Sequence, residues 1–350
     1  MKSIKIGIIY AIIFLCSCSD NKNVLVFNSV SQSDVECFPI PYPPILGNSM
    51  QLLKKDSLLL INNAQGDSLI HVLDFKNNIV HNKLVSKGAG PNEVISPLAI
   101  SMTDDNLYLY DRQTFRLFSF PIDMMLSEGK DIKRLFTLNV SASMLFPLSD
   151  SMFVASGFHD EVKRFTIYNN KGEKMSEFGD YPDYWYGEAD LPNKIRGLLH
   201  QTFFEKHPSK KMLVAYSGHV LGIYGYETAN KEPFLIKEVL LGKYSFKSDG
   251  NNANVTASPR MDEGVERGII SVACSSNYIY IAYNPNKKGE DNLSYQIRII
   301  DWYGNPIKLL NIDKKIKKIT CLTIDETETK GYIIAQNPED TIMYFDLDVD

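Results

Sequence analysis

Short apolar runs separated by polar turn residues recur along most of the chain. The runs are rich in Val, Ile, Tyr and Phe, whereas the segments between them are rich in Asn, Asp, Gly and Lys. This alternation is typical of antiparallel strands joined by tight turns, because branched and aromatic side chains suit a pleated surface. No stretch beyond residue 23 shows sustained helical periodicity. The pattern therefore predicts an all-β protein.

One apolar element is repeated six times. Its copies occupy residues 58–61, 107–110, 152–155, 212–215, 279–282 and 332–335. The intervals between them are 49, 46, 60, 66 and 53 residues, counted from Leu58, Leu107, Phe153, Leu213, Ile279 and Tyr332. A period of roughly 50 residues indicates an array of supersecondary units. Since each copy is followed by another strand, a tight turn and a further strand, the sequence predicts a six-bladed β-propeller with four-stranded blades.

The two ends of the chain predict how the ring closes. The last unit offers strands only at residues 319–324, 332–336 and 341–347, so it is one strand short. Residues 24–27 (VLVF) offer one spare strand near the N-terminus. Pairing the two would let an N-terminal strand close the last blade and would leave no unpaired edge. Residues 24–350 are thus predicted to form a single propeller domain.

Composition excludes several classes of protein. Of 350 residues, 44% are hydrophobic and 23% are charged, which excludes a disordered chain. The 37 basic and 42 acidic residues give a net charge of −5, which argues against bulk electrostatic binding to nucleic acid.

The first residues are typical of a secretory signal. Lys2 and Lys5 precede an apolar run at residues 6–15, which is shorter than the roughly 20 residues that a membrane-spanning helix needs. The run ends in residues 15–18 (LCSC), which resemble a bacterial lipobox. This resemblance implies that residues 1–17 are removed and that Cys18 carries acyl chains such as palmitate. The alternative is an ordinary cleaved signal with two stray cysteines.

Residues 18–23 would then form a lipidated tether. Removal of Lys2 and Lys5 changes the net charge from −5 to −5 − 2 = −7. Ser19 favours outer-membrane delivery in the Gram-negative sorting pattern, and Asp20 resembles the acidic export signals of Bacteroidetes surface lipoproteins. We therefore expect a lipid-anchored envelope protein, on the periplasmic or the outer side of the outer membrane.

Three further cysteines follow the tether, at Cys37, Cys274 and Cys321. Their odd number and wide spacing suggest buried thiols, although one disulfide remains an alternative.

A stretch of about 35 residues carries a family resemblance. Residues 87–93 (KGAGPNE), 97–100 (PLAI), 106–112 (NLYLYDR) and 116–118 (RLF) resemble an NHL-type blade. The chain after the tether resembles the TolB-like six-bladed propeller lipoproteins of Bacteroidetes, although blades four and five lack a second Gly-x-Gly-Pro segment. The resemblance implies structural roles for Gly88, Gly90, Pro91, Glu93, Arg112 and Arg116. The two arginines would bridge neighbouring blades.

The Gly88–Pro91 segment does not fit a phosphate-binding loop. Such a loop needs consecutive N–H donors and a following helix, whereas Pro91 removes a donor and a strand pattern follows. A tight turn between blades is expected instead, with Glu93 capping nearby backbone N–H groups.

No local motif predicts catalysis, a metal or a cofactor. The six histidines are scattered, and the sequence contains neither His-Glu-x-x-His nor Gly-x-Ser-x-Gly, nor a cysteine pair at zinc spacing. A propeller can still assemble a divalent-metal site on its axis from residues on different blades. A metal-dependent hydrolase or lyase with an axial-channel site is therefore the alternative function.

Two connecting segments are longer than a blade requires. The first, residues 179–196, holds four aromatic residues within six positions and ends at Arg196; it predicts either a stacking platform for sugars or a loop that hides its own aromatic rings. The second, residues 247–267, is polar and predicts either a flap or part of the pore mouth. The predicted ligand-binding residues are Tyr184, Trp185, Tyr186, Arg196, Arg260 and Arg267.

The leading interpretation is a binding module, with an unknown protein or carbohydrate ligand at the pore mouth that these segments border. A third interpretation is a part of an envelope complex.

Overall fold

The computed structural model describes residues 24–40, 46, 49–63, 69–81, 84–95, 97–126, 132–157, 162–185, 187–228, 231–249, 256–259, 264–287, 289–290, 294–336 and 339–349. The predicted signal peptide, Cys18 and the tether lie outside the described residues, as do Tyr186 and Arg260.

The strands of the first half form three antiparallel blades. The N-terminal segment contributes β1 (Ser31–Val35) and β2 (Phe38–Pro39). Blade one consists of β3 (Ser49–Lys55), β4 (Leu58–Asn63), β5 (Ile70–Asp74) and β6 (Ile79–His81). Blade two consists of β7 (Pro97–Met102), β8 (Asn106–Asp111), β9 (Arg116–Pro121) and β10 (Lys133–Thr137). Blade three consists of β11 (Ala142–Ser149), β12 (Met152–Gly157), β13 (Phe165–Asn169) and β14 (Lys174–Phe178).

The second half adds three more blades and two irregular insertions. The helix α1 (Asn193–Leu199) precedes blade four, which consists of β15 (Phe203–Lys206), β16 (Met212–Ser217), β17 (Val220–Gly225) and β18 (Phe234–Leu240). A hairpin of β19 (Phe246–Asp249) and β20 (Thr256–Pro259) follows. Blade five consists of β21 (Glu266–Cys274), β22 (Tyr278–Lys287), β23 (Gln296–Asp301) and β24 (Pro306–Ile312). Blade six consists of β25 (Lys318–Ile324), β26 (Lys330–Gln336) and β27 (Asp340–Asp346).

The six predicted repeats are the second strands of the six blades, namely β4, β8, β12, β16, β22 and β26. They read as apolar runs because neighbouring blades cover both faces of each sheet; all six residues of β12, for example, are buried. The first strands of successive blades contact one another in a closed ring, from β3 through β7, β11, β15, β21 and β25 back to β3. The predicted six-bladed propeller is thus confirmed, with the first strands around its axis.

An N-terminal strand closes the last blade, as predicted, but residues 24–27 do not supply it. The short strand β2 pairs antiparallel with β27 as the fourth strand of blade six, and β1 pairs parallel with β24 as a fifth strand of blade five. Residues 24–27 lie elsewhere: the Leu25 N–H donates to the Leu240 carbonyl at 2.7 Å, and Phe27 packs into the core between blades four and five. A two-residue strand that contains Pro39 gives no strand pattern, which explains the wrong placement.

Aromatic packing shows how adjacent blades are held together. The Phe165 ring of blade three makes edge contacts with Phe204 and Tyr224 of blade four, at centroid distances of 5.3 and 5.9 Å. Such edge-to-face pairs add about 0.5–1.5 kcal/mol each beyond the area that they bury.

The three described cysteines are free thiols. Cys37 and Cys321 are buried, and burial raises the pKa of each to about 12. Cys274 is partly exposed. Among the described residues, no helix has the length and apolar character needed to cross a membrane.

The Gly88–Pro91 turn has the predicted structure. The Glu93 carboxylate accepts a hydrogen bond from the Gly90 N–H at 2.8 Å, so the capping role of Glu93 is confirmed. A Cβ atom at Gly88 would overlap that carboxylate, so a larger residue there would displace the cap. Arg116 donates to the Gly90 carbonyl at 3.5 Å and so links blade two to the turn that precedes it.

Candidate functional site

Both long connecting segments lie on one face of the propeller. The first connector (residues 179–202) leads from β14 to β15, and the second connector (residues 241–265) leads from β18 to β21. Strand register places the turn between the second and third strands of blade four on the same face, because Ser217 at the end of β16 pairs with Val220 at the start of β17. We call this side of the propeller the connector face.

The two connectors meet beside blade four. The Tyr244 hydroxyl of the second connector donates to Glu188 Oε2 of the first at 2.6 Å. The rings of Tyr244 and His200 are in edge contact, with centroids 5.7 Å apart. The connectors, the blade-four turn and the start of β21 enclose a cavity of about 180 Å³, which we call the connector cavity. Its apolar wall includes Leu199, Val220 and Phe246.

The Glu188 carboxylate organises the first connector. Its side chain is fully buried and accepts hydrogen bonds from the backbone N–H groups of Tyr184 and Trp185, at 2.9 and 3.2 Å. Its other oxygen is hydrogen-bonded to His200 Nε2. Burial alone would raise the Glu188 pKa, but the hydrogen bonds from His200, Tyr244 and the backbone outweigh it and lower the pKa below its usual value.

A buried polar chain continues from His200 towards the cavity wall. His200 Nδ1 lies 3.5 Å from Ser217 Oγ, and Ser217 lines the cavity. Arg164 Nη2 donates to Ser217 Oγ and to Thr202 Oγ1, at 2.8 Å in each case. Arg164 is only 3% exposed, and its Nε has no hydrogen-bond partner among the described residues. Glu188, His200, Ser217 and Arg164 therefore form one continuous buried chain.

A second polar group includes the cavity-lining residues His219 and Glu266. The Tyr283 hydroxyl donates to Glu266 Oε2 at 2.6 Å and lies 3.2 Å from His219 Nδ1. The Arg298 guanidinium stacks on the Tyr283 ring at 3.5 Å. Burial, reinforced by the charge of Arg298, lowers the pKa of His219 to about 4. A Cβ atom at Gly242 would come within 3 Å of all three hydrogen-bonding groups, so a side chain there would displace them.

The predicted ligand-binding residues occupy different environments. The Tyr184 hydroxyl donates to Glu238, and Arg196 donates to the carbonyls of Tyr181 and Pro182, at 3.0 and 3.2 Å. The Arg196 contacts fold the first connector onto itself, whereas the Tyr184 contact attaches it to β18 of blade four. Trp185 is 40% exposed, and Arg267 lines the connector cavity with an exposed side chain.

Sequence reasoning missed the polar chain in the cavity wall. The histidines His200 and His219 were visible only as scattered residues, and Ser217 carried no motif. The available signal was topological: Glu188 and His200 share one connector, while Ser217 and His219 flank the tight turn of blade four. In a propeller, connectors and such turns lie on the same face, so these residues are brought together by the fold.

The opposite mouth of the ring carries different chemistry. Ends of the first strands of four blades, with Phe146 of β11 beside them, border a cavity of about 170 Å³ there. Its lining includes the charged residues Lys54, Asp104, Glu205 and Lys206. Burial raises the pKa of Glu205 to about 8, against the opposing effect of Lys206. In the part of the chain that the structure describes, no group of three or more His, Cys, Asp or Glu side chains could hold a metal ion.

A closed ring of six blades, each with four antiparallel strands, defines the class: a six-bladed β-propeller, here with a cavity between two connectors on one face. The family model of the TolB-like 6-blade propeller-like proteins matches residues 29–327, so the chain belongs to the TolB-like six-bladed propeller family. No curated protein matches the chain.

Two solved structures share this fold. A Bacteroides fragilis protein described as exported is 11% identical, with a TM-score of 0.54 over 91% of this chain and 98% of that one. A member of the DUF4221 family from Bacteroides vulgatus is also 11% identical, with a TM-score of 0.54 over 90% of this chain and 96% of that one. At such identity, the likeness shows the fold alone.

Proposed function

We propose that this chain is a lipid-anchored envelope protein whose propeller binds a small ligand in the connector cavity. The proposal is based on one observation: both long connectors border a cavity of about 180 Å³ that is lined by apolar and polar side chains. A dry apolar cavity of about 150 Å³ holds a benzene ring, so the connector cavity has room for a single ring. Its wall offers apolar side chains together with Ser217, His219 and Glu266, which suits a ring that carries hydrogen-bonding groups.

Saturation-transfer NMR tests this proposal with benzoate and methyl β-glucoside as probes. Val265 lines the cavity and is half-buried, so Val265→Trp should obstruct it and weaken probe binding at least tenfold. Val162→Trp is the matched control, because Val162 is 76% exposed and is not among the residues that line the cavity. Absence of saturation transfer from both probes, or equal binding by the Val265→Trp protein, would contradict the proposal.

For a carbohydrate ligand, the exposed ring of Trp185 is the stacking surface of the first connector. Trp185→Ala should weaken retention on a glycan array by about 1 kcal/mol, or roughly fivefold, because aromatic stacking contributes on that scale. Tyr303→Ala removes a ring that is 72% exposed on blade five and should leave retention unchanged. Unchanged retention after Trp185→Ala would exclude stacking on this residue.

The envelope location rests on the sequence of residues 1–20 and agrees with the exported character of the Bacteroides fragilis neighbour. In this proposal residues 1–17 are removed, Cys18 is acylated, residues 18–23 form the tether, and residues 24–350 form the propeller outside the cytoplasm. The membrane is then one partner, and a carbohydrate or protein is the other.

Metabolic labelling with a palmitate analogue tests the anchor. Cys18→Ser should abolish labelling and leave an uncleaved or soluble product, whereas Cys16→Ser is the matched control and should retain the label. Continued labelling of the Cys18→Ser protein would refute the anchor.

A further inference from the structure

Three side chains in the wall of the connector cavity have the spatial order of a carboxylate, a histidine and a serine. Glu188 is hydrogen-bonded to His200 Nε2, and His200 Nδ1 lies 3.5 Å from Ser217 Oγ. Each is at most 6% exposed, but Ser217 and His200 line the cavity. A nucleophile, a base within hydrogen-bond reach and a third group that orients the base are the signature of nucleophilic catalysis.

Hydrogen-bond directions follow from the partners. The ionised Glu188 carboxylate only accepts, so His200 Nε2 carries the hydrogen and Nδ1 carries the lone pair. Ser217 Oγ accepts from Arg164 Nη2 at 2.8 Å, so the Ser217 hydrogen points away from that guanidinium and towards His200 Nδ1. The serine hydroxyl is thus set to give its proton to a neutral imidazole.

Burial and two neighbouring arginines favour the neutral, basic form of His200. Burial is the main cause of a lowered His200 pKa; the nearby Glu188 opposes it, whereas Arg164 and Arg196 reinforce it. The ring of Tyr244, from the second connector, is in edge contact with the imidazole of His200. Arg164 also places a fixed positive charge beside Ser217 Oγ, where negative charge develops when the proton leaves.

We propose that Ser217 is a nucleophile towards carboxylic esters, with His200 as its base and with Glu188 and Arg164 as positioning residues. The inference rests on the proposed function because it uses the same cavity, and it limits the substrate to an ester whose acyl group fits about 180 Å³. The 3.5 Å separation is long, as it commonly is before substrate binds. The imidazole uses its two nitrogens in the order opposite to that of the serine proteases.

The reaction balances with water alone. Ser217 Oγ bonds to the carbonyl carbon while its proton passes to His200 Nδ1. The bond to the alcohol oxygen then breaks, and that oxygen takes the proton from His200. Water next adds to the acyl carbon and gives a proton to His200 Nδ1, after which Ser217 Oγ leaves with that proton and the carboxylic acid is released.

A fluorophosphonate probe tests the nucleophile without knowledge of the substrate, because phosphorus bonds to an activated serine and fluoride leaves. Peptide mapping should find the label on Ser217, and Ser217→Ala should abolish it. His200→Gln should slow labelling at least 100-fold. His207→Gln is the matched control, because His207 is a buried histidine whose Nδ1 accepts hydrogen bonds from the backbone N–H groups of Ser209 and Lys210. Labelling by wild type should increase with pH and have its midpoint below 6.5.

Two outcomes would overturn the proposal: an unlabelled wild-type protein, or equal labelling rates in wild type and His200→Gln. If His200→Gln does not fold, Ser217→Cys provides a second measurement. Iodoacetamide should alkylate the introduced thiol at least tenfold faster than Cys37 and Cys321, whose pKa values burial raises; equal rates would refute an activating histidine. Benzoate binding by Ser217→Ala, measured separately, shows whether the cavity binds ligand even where the nucleophile fails.

Discussion

Two glutamates on opposite faces of the propeller illustrate how differently the two faces are built. Glu188, on the connector face, is fully buried and accepts hydrogen bonds from four donors, and its pKa lies below the usual value. Glu205, at the opposite mouth, is partly buried, receives no hydrogen bond from the described residues, and has a pKa raised to about 8. Lys206 is its charged neighbour.

The difference lies in the supply of donors. On the connector face, two irregular segments bring two backbone N–H groups, one hydroxyl and one imidazole to one carboxylate. At the opposite mouth, the backbone groups of the first strands are engaged in their own sheets and leave Glu205 with side-chain charges alone. In this propeller the loops have therefore built a polar site in which the carboxylate is fully hydrogen-bonded, whereas the strand ends around Glu205 have not.

Replacing the two glutamates should have unequal effects on stability. Glu188→Ala leaves four donors in a buried region without an acceptor, among them His200 Nε2 and the Tyr244 hydroxyl, and should lower the free energy of unfolding by about 3–5 kcal/mol. Urea unfolding followed by tryptophan fluorescence measures the loss. Glu205→Ala is the matched control and should cost less than about 1 kcal/mol at pH 7. Equal losses in the two variants would contradict the comparison.

Acid should destabilise the protein through His219 on the connector face. The pKa of His219 is about 4 in the folded protein, against about 6.5 in the unfolded chain, so the folded state binds fewer protons between these values. The free energy of unfolding is therefore highest above pH 6.5, and protonation of His219 lowers it by about 2 kcal/mol as the pH falls towards 4. His219→Asn should flatten the pH dependence of unfolding in this window, and an unchanged slope would be inconsistent with the buried neutral imidazole.

Glu205 should give the opposite dependence. Its pKa is raised to about 8 in the folded protein from about 4.5 in the unfolded chain, so the unfolded state loses the proton first. Stability is therefore highest below pH 4.5 and decreases as the pH rises to 8, by about 1–2 kcal/mol once partial exposure is allowed for. Glu205→Gln should remove this loss in thermal unfolding at pH 5 and pH 8. A variant that is no more stable than wild type at pH 8 would refute the raised pKa.

Strand repetition made the fold predictable. Residues 152–155 and 332–335, for instance, are buried on both faces, so their sequence is apolar throughout and marks a second strand whatever the loops do. The closing strand was harder to place. Phe38–Pro39 is a two-residue strand on the outer edge, whereas the apolar run at residues 24–27 buries only Phe27 between blades four and five and leaves Val26 55% exposed. An apolar run therefore does not by itself indicate strand pairing.

The site was less predictable because its members come from distant parts of the chain. Arg164 and Ser217 are 53 residues apart and meet only because blades three and four are adjacent. The aromatic residues of the first connector were visible in sequence, yet Tyr184 binds Glu238, and Trp185 keeps a substantially exposed ring. Composition identifies an unusual loop, but hydrogen bonds across the fold decide which side chains are engaged.

The smallest expected effect on stability comes from the removal of one hydroxyl group on the connector face. Tyr244→Phe deletes the 2.6 Å hydrogen bond to Glu188 but keeps the ring, which lies parallel to that of His219 with centroids 6.1 Å apart. Glu188 retains three of its donors, so the free energy of unfolding should fall by about 1 kcal/mol. Tyr303→Phe, at an exposed position on blade five, should have no effect. A loss as large as that of Glu188→Ala would mean that the second connector detaches when this one bond is missing, and the two connectors would then form a single cooperative unit. No loss at all would mean that apolar contacts hold the two connectors together. The Glu188 carboxylate would then stabilise only the first connector.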